Sequence, residues 1–153
     1  MSADGQDLRL RPATVADAAL LLEWRNDEAT RLASHNTGVV TPEDHARWLD
    51  ALLRDPSRRL FIAEVNGDPV GSVRADRDPD GACHELSWTV APAARGRGMG
   101  VRMVQLLLAE VSGPVRAEVK PGNLASVRMA EAAGLRFEVL RDGVMHFRRP
   151  AHP

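Results

Sequence analysis

Residues 90–101 read VAPAARGRGMGV, with three glycines set between a strand-like run and a helix-like one. No other segment restricts the fold so much. A strand that passes through glycines straight into a helix leaves the first helical N–H groups without backbone partners. The helix dipole adds partial positive charge at the same end. Together they make a site for an anion, most often a phosphate. Glycine removes the Cβ that would hold an anion away, and it permits positive φ. Arg95 and Arg97 place charged donors beside those N–H groups. A turn with no ligand could use the same residues, so spacing must discriminate. The dinucleotide fingerprint G-x-G-x-x-G fails, because Val101 stands in the third glycine position after Gly96 and Gly98. The phosphate loop G-x-x-x-x-G-K-[ST] fails for want of its lysine. R-x-x-G-x-G fits, as Arg95, Gly98 and Gly100.

The rest of the chain supplies the frame. Residues 8–11 alternate as a first strand, and Thr14 with Asp17 three positions on reads as a capping box. Ala18, Leu21, Leu22 and Arg25 then recur at helical spacing, and WRNDEATRLAS continues as helix or turn. Thr41 caps a second helix with Pro42 at its first position, running to about Arg54. Residues 59–65 and 69–75 make two strands around the hairpin turn Asn66-Gly67-Asp68. Residues 83–90 are the next strand and 101–111 a helix, broken by Gly113-Pro114. A strand at 115–119, a helix at 124–133 with Gly134 at its C-cap, and a hairpin over 135–148 complete the order. This predicts an α/β (α+β) protein: one mixed, mostly antiparallel central sheet flanked by helices. It is not the regular strand–helix alternation of a dinucleotide-binding fold. One domain over 1–153 is expected, with a core at 8–148 and short flexible ends.

Composition narrows the partners. The net charge of -1 argues against a nucleic-acid binder, which usually shows a basic excess. Positive charge is almost all arginine, with Lys120 the single lysine. No apolar run approaches the ~20 residues of a membrane helix, so no membrane partner is expected. Cys83 is the single cysteine, which fits a reducing, cytoplasmic setting and a structural role. The five histidines and Cys83 have no metal-ligand spacing, and no metal is expected.

The R-x-x-G-x-G loop, after a strand ending Val-x-Pro and before an amphipathic helix, resembles the acetyl-CoA pyrophosphate loop of the GNAT superfamily of N-acetyltransferases. NLASVRMAEAAGL, residues 123–135, looks like the family's second motif, in which an Asn begins a helix. The element order over 8–148 matches as well, so the likeness covers nearly the whole chain. EWRNDEATRLASHNT followed by TPEDHARWL looks like the subgroup of nucleotide-amino-sugar N-acetyltransferases, with ribosomal-protein N-terminal acetyltransferases as relatives. There Trp24, Arg25 and Asn26 would help line the acceptor pocket. Core packing explains Trp24 and Trp48 equally well, and a solvated edge explains Arg25 and Asn26.

The resemblance implies direct acyl transfer from acetyl-CoA, as co-substrate, to a primary amine. The GNAT-like acyl-CoA N-acyltransferase fold is the expected one. Backbone N–H groups from Arg97 through Gly98, Met99 and Gly100 to Val101, with Arg95 and Gly96, would hold the pyrophosphate. The pantetheine arm would run along Trp88, Thr89 and Val90 like an added strand. A backbone N–H near Thr89 or Val90 would meet the thioester oxygen. Glu85 is the expected base; His84 is the alternative base and an acceptor contact, and alternation lets only one face the site. Asn123 would cap its helix and touch the CoA arm. Many family members protonate the leaving thiolate with a Tyr, but the chain has none and Ala130 occupies the place. Ser126, one helical turn earlier, is the substitute. The acceptor is expected to be a small-molecule amine, with a nucleotide-linked amino sugar preferred. Protein N-terminal or aminoglycoside-type acetylation, and a non-catalytic acyl-CoA sensor, are the alternatives. A closing hairpin and an open sheet edge allow a homodimer.

Overall fold

The hairpin turns set the register of the sheet. Asn66 and Gly67 both have positive φ, which the two-residue turn between twisted strands demands. They join β2 (Arg58–Val65) to β3 (Asp68–Arg77). Asp142 and Gly143 do the same between β6 (Arg136–Arg141) and β7 (Val144–Arg149). With β1 (Leu8–Pro12), β4 (His84–Val90) and β5 (Val115–Val119) they form one seven-stranded sheet of order β1-β2-β3-β4-β5-β7-β6. Every pairing is antiparallel except β4 with β5. The structure, a computed structural model, describes residues 7–150; the ends expected to be flexible lie largely outside them.

Four successive residues of β2, Leu60 to Ala63, are buried, as are Val70 to Val73 of β3. A strand buried on alternate and intervening positions is covered on both faces. The covers are five helices: α1 (Ala18–Asn26), α2 (Glu28–Ala33), α3 (Pro42–Arg54), α4 (Met99–Ala109) and α5 (Leu124–Ala132). Helix α3 packs on β2 and α1, whereas α4 crosses β1, β3 and β4 and also meets α5. Met103, Val104 and Leu107 of α4 are fully buried, so its apolar stripe anchors the glycine loop to the core.

Caps account for most boundaries. Thr41 accepts from the Asp44 N–H at the start of α3, as its sequence predicts. Thr14 and Asp17 form the capping box, but on a single 3-10 turn before α1. Asp17 also takes a two-pronged bond from Arg11 at 2.8 and 2.9 Å, which ties β1 to that turn. The expected run through WRNDEATRLAS divides at Asp27, whose extended backbone ends α1 and whose carboxylate caps α2. Helix α4 starts at Met99, two residues before the sequence-based boundary, because Gly98 takes the left-handed cap conformation at φ 73°.

Candidate active site

The parallel pair β4–β5 is brief. It joins only His84 to Val115 and Glu85 to Arg116. Beyond Glu85 the strands part, while β4 stays paired with β3 as far as Val90. One edge of β4, from Leu86 to Val90, therefore faces a wedge instead of a strand. A cavity of about 1160 Å³ fills that wedge, lined among others by Glu85, Trp88, Thr89, Val90, Asn123 and Ser126. An open edge with its backbone groups unpaired is what an extended ligand would add to.

The glycine loop closes one end of the cavity, with Arg95, Gly96, Gly98, Met99, Gly100 and Val101 in its wall. No side chain caps the N-terminus of α4, so its first N–H groups keep their hydrogens for another acceptor. The glycines divide their tasks. Gly98 has positive φ and open space where a Cβ would be, so backbone conformation alone explains it. Gly100 is helical, and a Cβ there would lie 2.5 Å from Met129 Cε, so it lets α4 approach α5. Arg97 Nη2 donates to the Ala93 carbonyl at 2.7 Å and stiffens the loop. Arg95 turns toward the other wall: its Nη2 donates to Asp27 Oδ2 at 2.7 Å and Thr30 Oγ1 at 3.2 Å.

The wedge narrows at a pair of carboxylates. Glu85 of β4 faces Glu118 of β5, and Arg116 Nη2 reaches Glu85 Oε1 at 3.2 Å. Burial, with the Glu118 charge added, pushes the Glu85 carboxyl above its ordinary range, and Arg116 opposes this only in part. A carboxyl shifted upward in this way holds a proton more readily than an exposed one, as a general base must. His35 and His146 flank Glu118 at 3.7 and 3.8 Å. His84 does not line the cavity; it sits at the start of β4, paired with Val115 of β5. Across the wedge, Trp88 Nε1 donates to Ser126 Oγ at 3.1 Å. Ser126 thus accepts from the indole and keeps its own hydroxyl hydrogen to give. Asn123 Oδ1 accepts from the Ser126 N–H at 3.2 Å, capping α5. Ala130, in the place of the missing phenol, is fully buried.

The far end of the cavity is built from side chains of α1, α3 and the central strands. Trp24 is buried and also reaches the wall, so core packing and lining are one role. Trp48 lies under the Arg74 guanidinium, 5.6 Å from the ring centroid, and 5.4 Å from the His45 ring. Burial, and Arg25 nearby, lower the His45 pKa. Arg25 lines the cavity and donates from Nη2 to the Asn36 carbonyl at 2.7 Å. Asn26 points elsewhere: its amide both gives to and takes from the Val40 backbone, each at 2.8 Å, and it is absent from the wall. Glu118, Arg74 and Asp27 carry no sequence signal for a site. Glu118 is one alternating residue of VRAEV, and only the position of β5 beside β4 gives it meaning.

The profile of the acetyltransferase (GNAT) domain family matches residues 7–136. The chain belongs to that family. L-2,4-diaminobutyric acid acetyltransferase of Nocardia farcinica (strain IFM 10152) is 30% identical over 133 residues, 83% of this chain. The chain spans only 64% of that relative's length. Aminoglycoside N(6')-acetyltransferase type 1 of Klebsiella pneumoniae is 24% identical over 82% of this chain and 72% of its own. The fold is also that of spermidine N-acetyltransferase from Vibrio cholerae, solved with CoA and spermine. The TM-score is 0.83 at 16% identity, covering 94% of this chain and 95% of that one. Among the described residues no group of three or more His, Cys, Asp or Glu could hold a metal ion, and no helix is long and apolar enough to cross a membrane.

Proposed function

We propose that this protein moves the acetyl group of acetyl-CoA directly onto a primary amine of a small molecule, with Glu85 as base. One observation carries the reading: a cavity lined by the bare N-terminus of α4 and the open edge of β4 also reaches the half-buried carboxylate of Glu85. The N–H groups of Met99, Gly100 and Val101 would receive the pyrophosphate, with Arg95 and Arg97 beside them. The arm would pair with the edge from Trp88 to Val90. A backbone N–H near Thr89 or Val90 would meet the oxygen as negative charge develops. Glu85 takes a proton from the ammonium, the amine nitrogen bonds to the acetyl carbon, the carbon–sulfur bond breaks, and the nitrogen gives up its second proton to the departing thiolate. The sulfur leaves as thiolate, whose ordinary pKa of about 8.5 makes it a fair leaving group. Ser126 is placed to hydrogen-bond it.

A nucleotide-linked amino sugar remains one candidate acceptor. The relatives add diaminobutyrate and aminoglycosides as candidate acceptors. Cytoplasmic residence and a homodimer through the open edge of β6 belong to the same reading, supported by one buried free cysteine and an unpaired strand edge. Thermal shift with acetyl-CoA, CoA and NAD tests the donor; stabilisation by the CoA species is expected, and its absence refutes the reading. Free-thiol release across amines then tests turnover. Binding with no thiol release from any amine would favour an acyl-CoA sensor.

A further inference from the structure

The acceptor part of the cavity wall carries charges of both signs. Glu85 and Glu118 make one side of it acidic, suited to an ammonium. Elsewhere on the same wall Arg25 has no ion pair among the described residues, and its Nη1 is buried without any hydrogen-bond partner. The neighbouring charge that acts on it, Arg31, is also cationic. Arg31 lowers the Arg25 pKa after burial does, and Arg25 in turn lowers that of His45. Arg31 spends its donors on the Asn26 and Thr37 carbonyls at 3.2 and 3.3 Å. The third carboxylate of the wall, Asp44, is engaged by Arg47 and the start of α3. A half-buried guanidinium with no counter-charge is costly, and proteins seldom keep one without a partner.

We propose that Arg25 anchors an oxyanion of the acceptor, so that this site selects amines that also carry a carboxylate or a phosphate. The proposal rests on the acetyl-transfer reading and names its substrate class. Arg25 already lines the cavity, and a change in its side-chain torsions would present the planar fork to a carboxylate or phosphate in two-pronged contact. The ammonium end of the same acceptor then lies toward Glu85. A polycation with no acidic group meets like charge at Arg25 and is disfavoured.

Matched pairs test this: L-2,4-diaminobutyrate against 1,3-diaminopropane, L-ornithine against putrescine, and an amino sugar 1-phosphate against the free amino sugar. Each pair differs by the acidic part. The first two report a carboxylate and the third a phosphate. A charged hydrogen bond of this kind is worth about 10- to 100-fold in kcat/KM. The acidic member of at least one pair is expected to win by that factor, chiefly through KM. In Arg25→Gln the ratio within that pair falls toward one, and Arg25→Lys restores part of it. Melting temperatures check that both variants fold. Calorimetric binding of the pairs to the CoA complex gives a readout that needs no turnover. Equal use of both members of every pair, a preference for the polyamine, or a ratio untouched by Arg25→Gln would overturn the inference while leaving acetyl transfer intact. Loss of the CoA response would instead overturn the underlying reading.

Discussion

The donor end and the acceptor end of the cavity are built from different materials. The donor end is backbone: a helix N-terminus, a strand edge and a glycine loop contributed by residues 84–101, all close in sequence. The acceptor end is side chains from α1, α3, β3, β4 and β5, drawn from separate elements between residues 21 and 118. Backbone donors recognise a constant chemical group and need a fixed local conformation. Side chains recognise a variable group and depend on which elements meet. A family can therefore keep one donor while changing the acceptor, and the three relatives, named for diaminobutyrate, an aminoglycoside and spermidine, differ in just this respect.

The sharpest way to separate the ends is Glu85→Gln. Loss of a general base costs about 10²- to 10⁴-fold in rate. That loss is expected in kcat, with acetyl-CoA affinity by calorimetry kept; a matching loss of CoA affinity would show that Glu85 belongs to the donor end as well. Next, Gly98→Val and Gly100→Ala should fail in different ways. Gly98→Val puts a β-branched residue at φ 73°, a strain of about 1–2 kcal/mol or more, and should weaken CoA binding. Gly100→Ala presses on Met129, and overpacking of about 1–3 kcal/mol should lower the melting temperature. If both lower CoA affinity and stability alike, loop and helix contact are one unit.

A third test uses pH. The Glu85 pKa is raised, so the acidic limb of kcat/KM should lie above the ordinary carboxylate range, activity rising as Glu85 loses its proton. Glu118→Gln removes the neighbouring negative charge, which lowers the Glu85 pKa and moves that limb to lower pH. An unmoved limb would show that another group limits the rate. The smallest effect is expected from Asp27→Asn. The Arg95–Asp27 pair is partly exposed, and such pairs contribute about 0–1 kcal/mol. Melting temperature should barely change, while Arg95, released from α2, should bind acetyl-CoA a little more tightly. Weaker CoA binding would mean that Asp27 positions Arg95 for the donor.

The R-x-x-G-x-G spacing, the caps Thr41 and Asn123, and the turn pairs Asn66-Gly67 and Asp142-Gly143 were legible because each acts within a few residues of itself. They gave the strands, most helix boundaries and the donor loop. The break at Asp27 was not, because the same polar run suits a continued helix until Asp27 caps a new one and pairs with Arg95, 68 residues away. Asn26 stood in the sequence as an acceptor residue beside Arg25, yet its amide holds the Val40 backbone and only Arg25 reaches the wall. Glu118 gave no sign of itself, because strand alternation fixes its face but not its neighbour. By itself the sequence determined where the chain would present bare backbone for an anion, since φ, capping and helix dipole are local. Only the tertiary structure decided which charges share the cavity. Setting Glu85 against Glu118, and leaving Arg25 without a counter-ion among the described residues, required β4 to part from β5 and α1 to bring Arg25 to the wall of the same cavity.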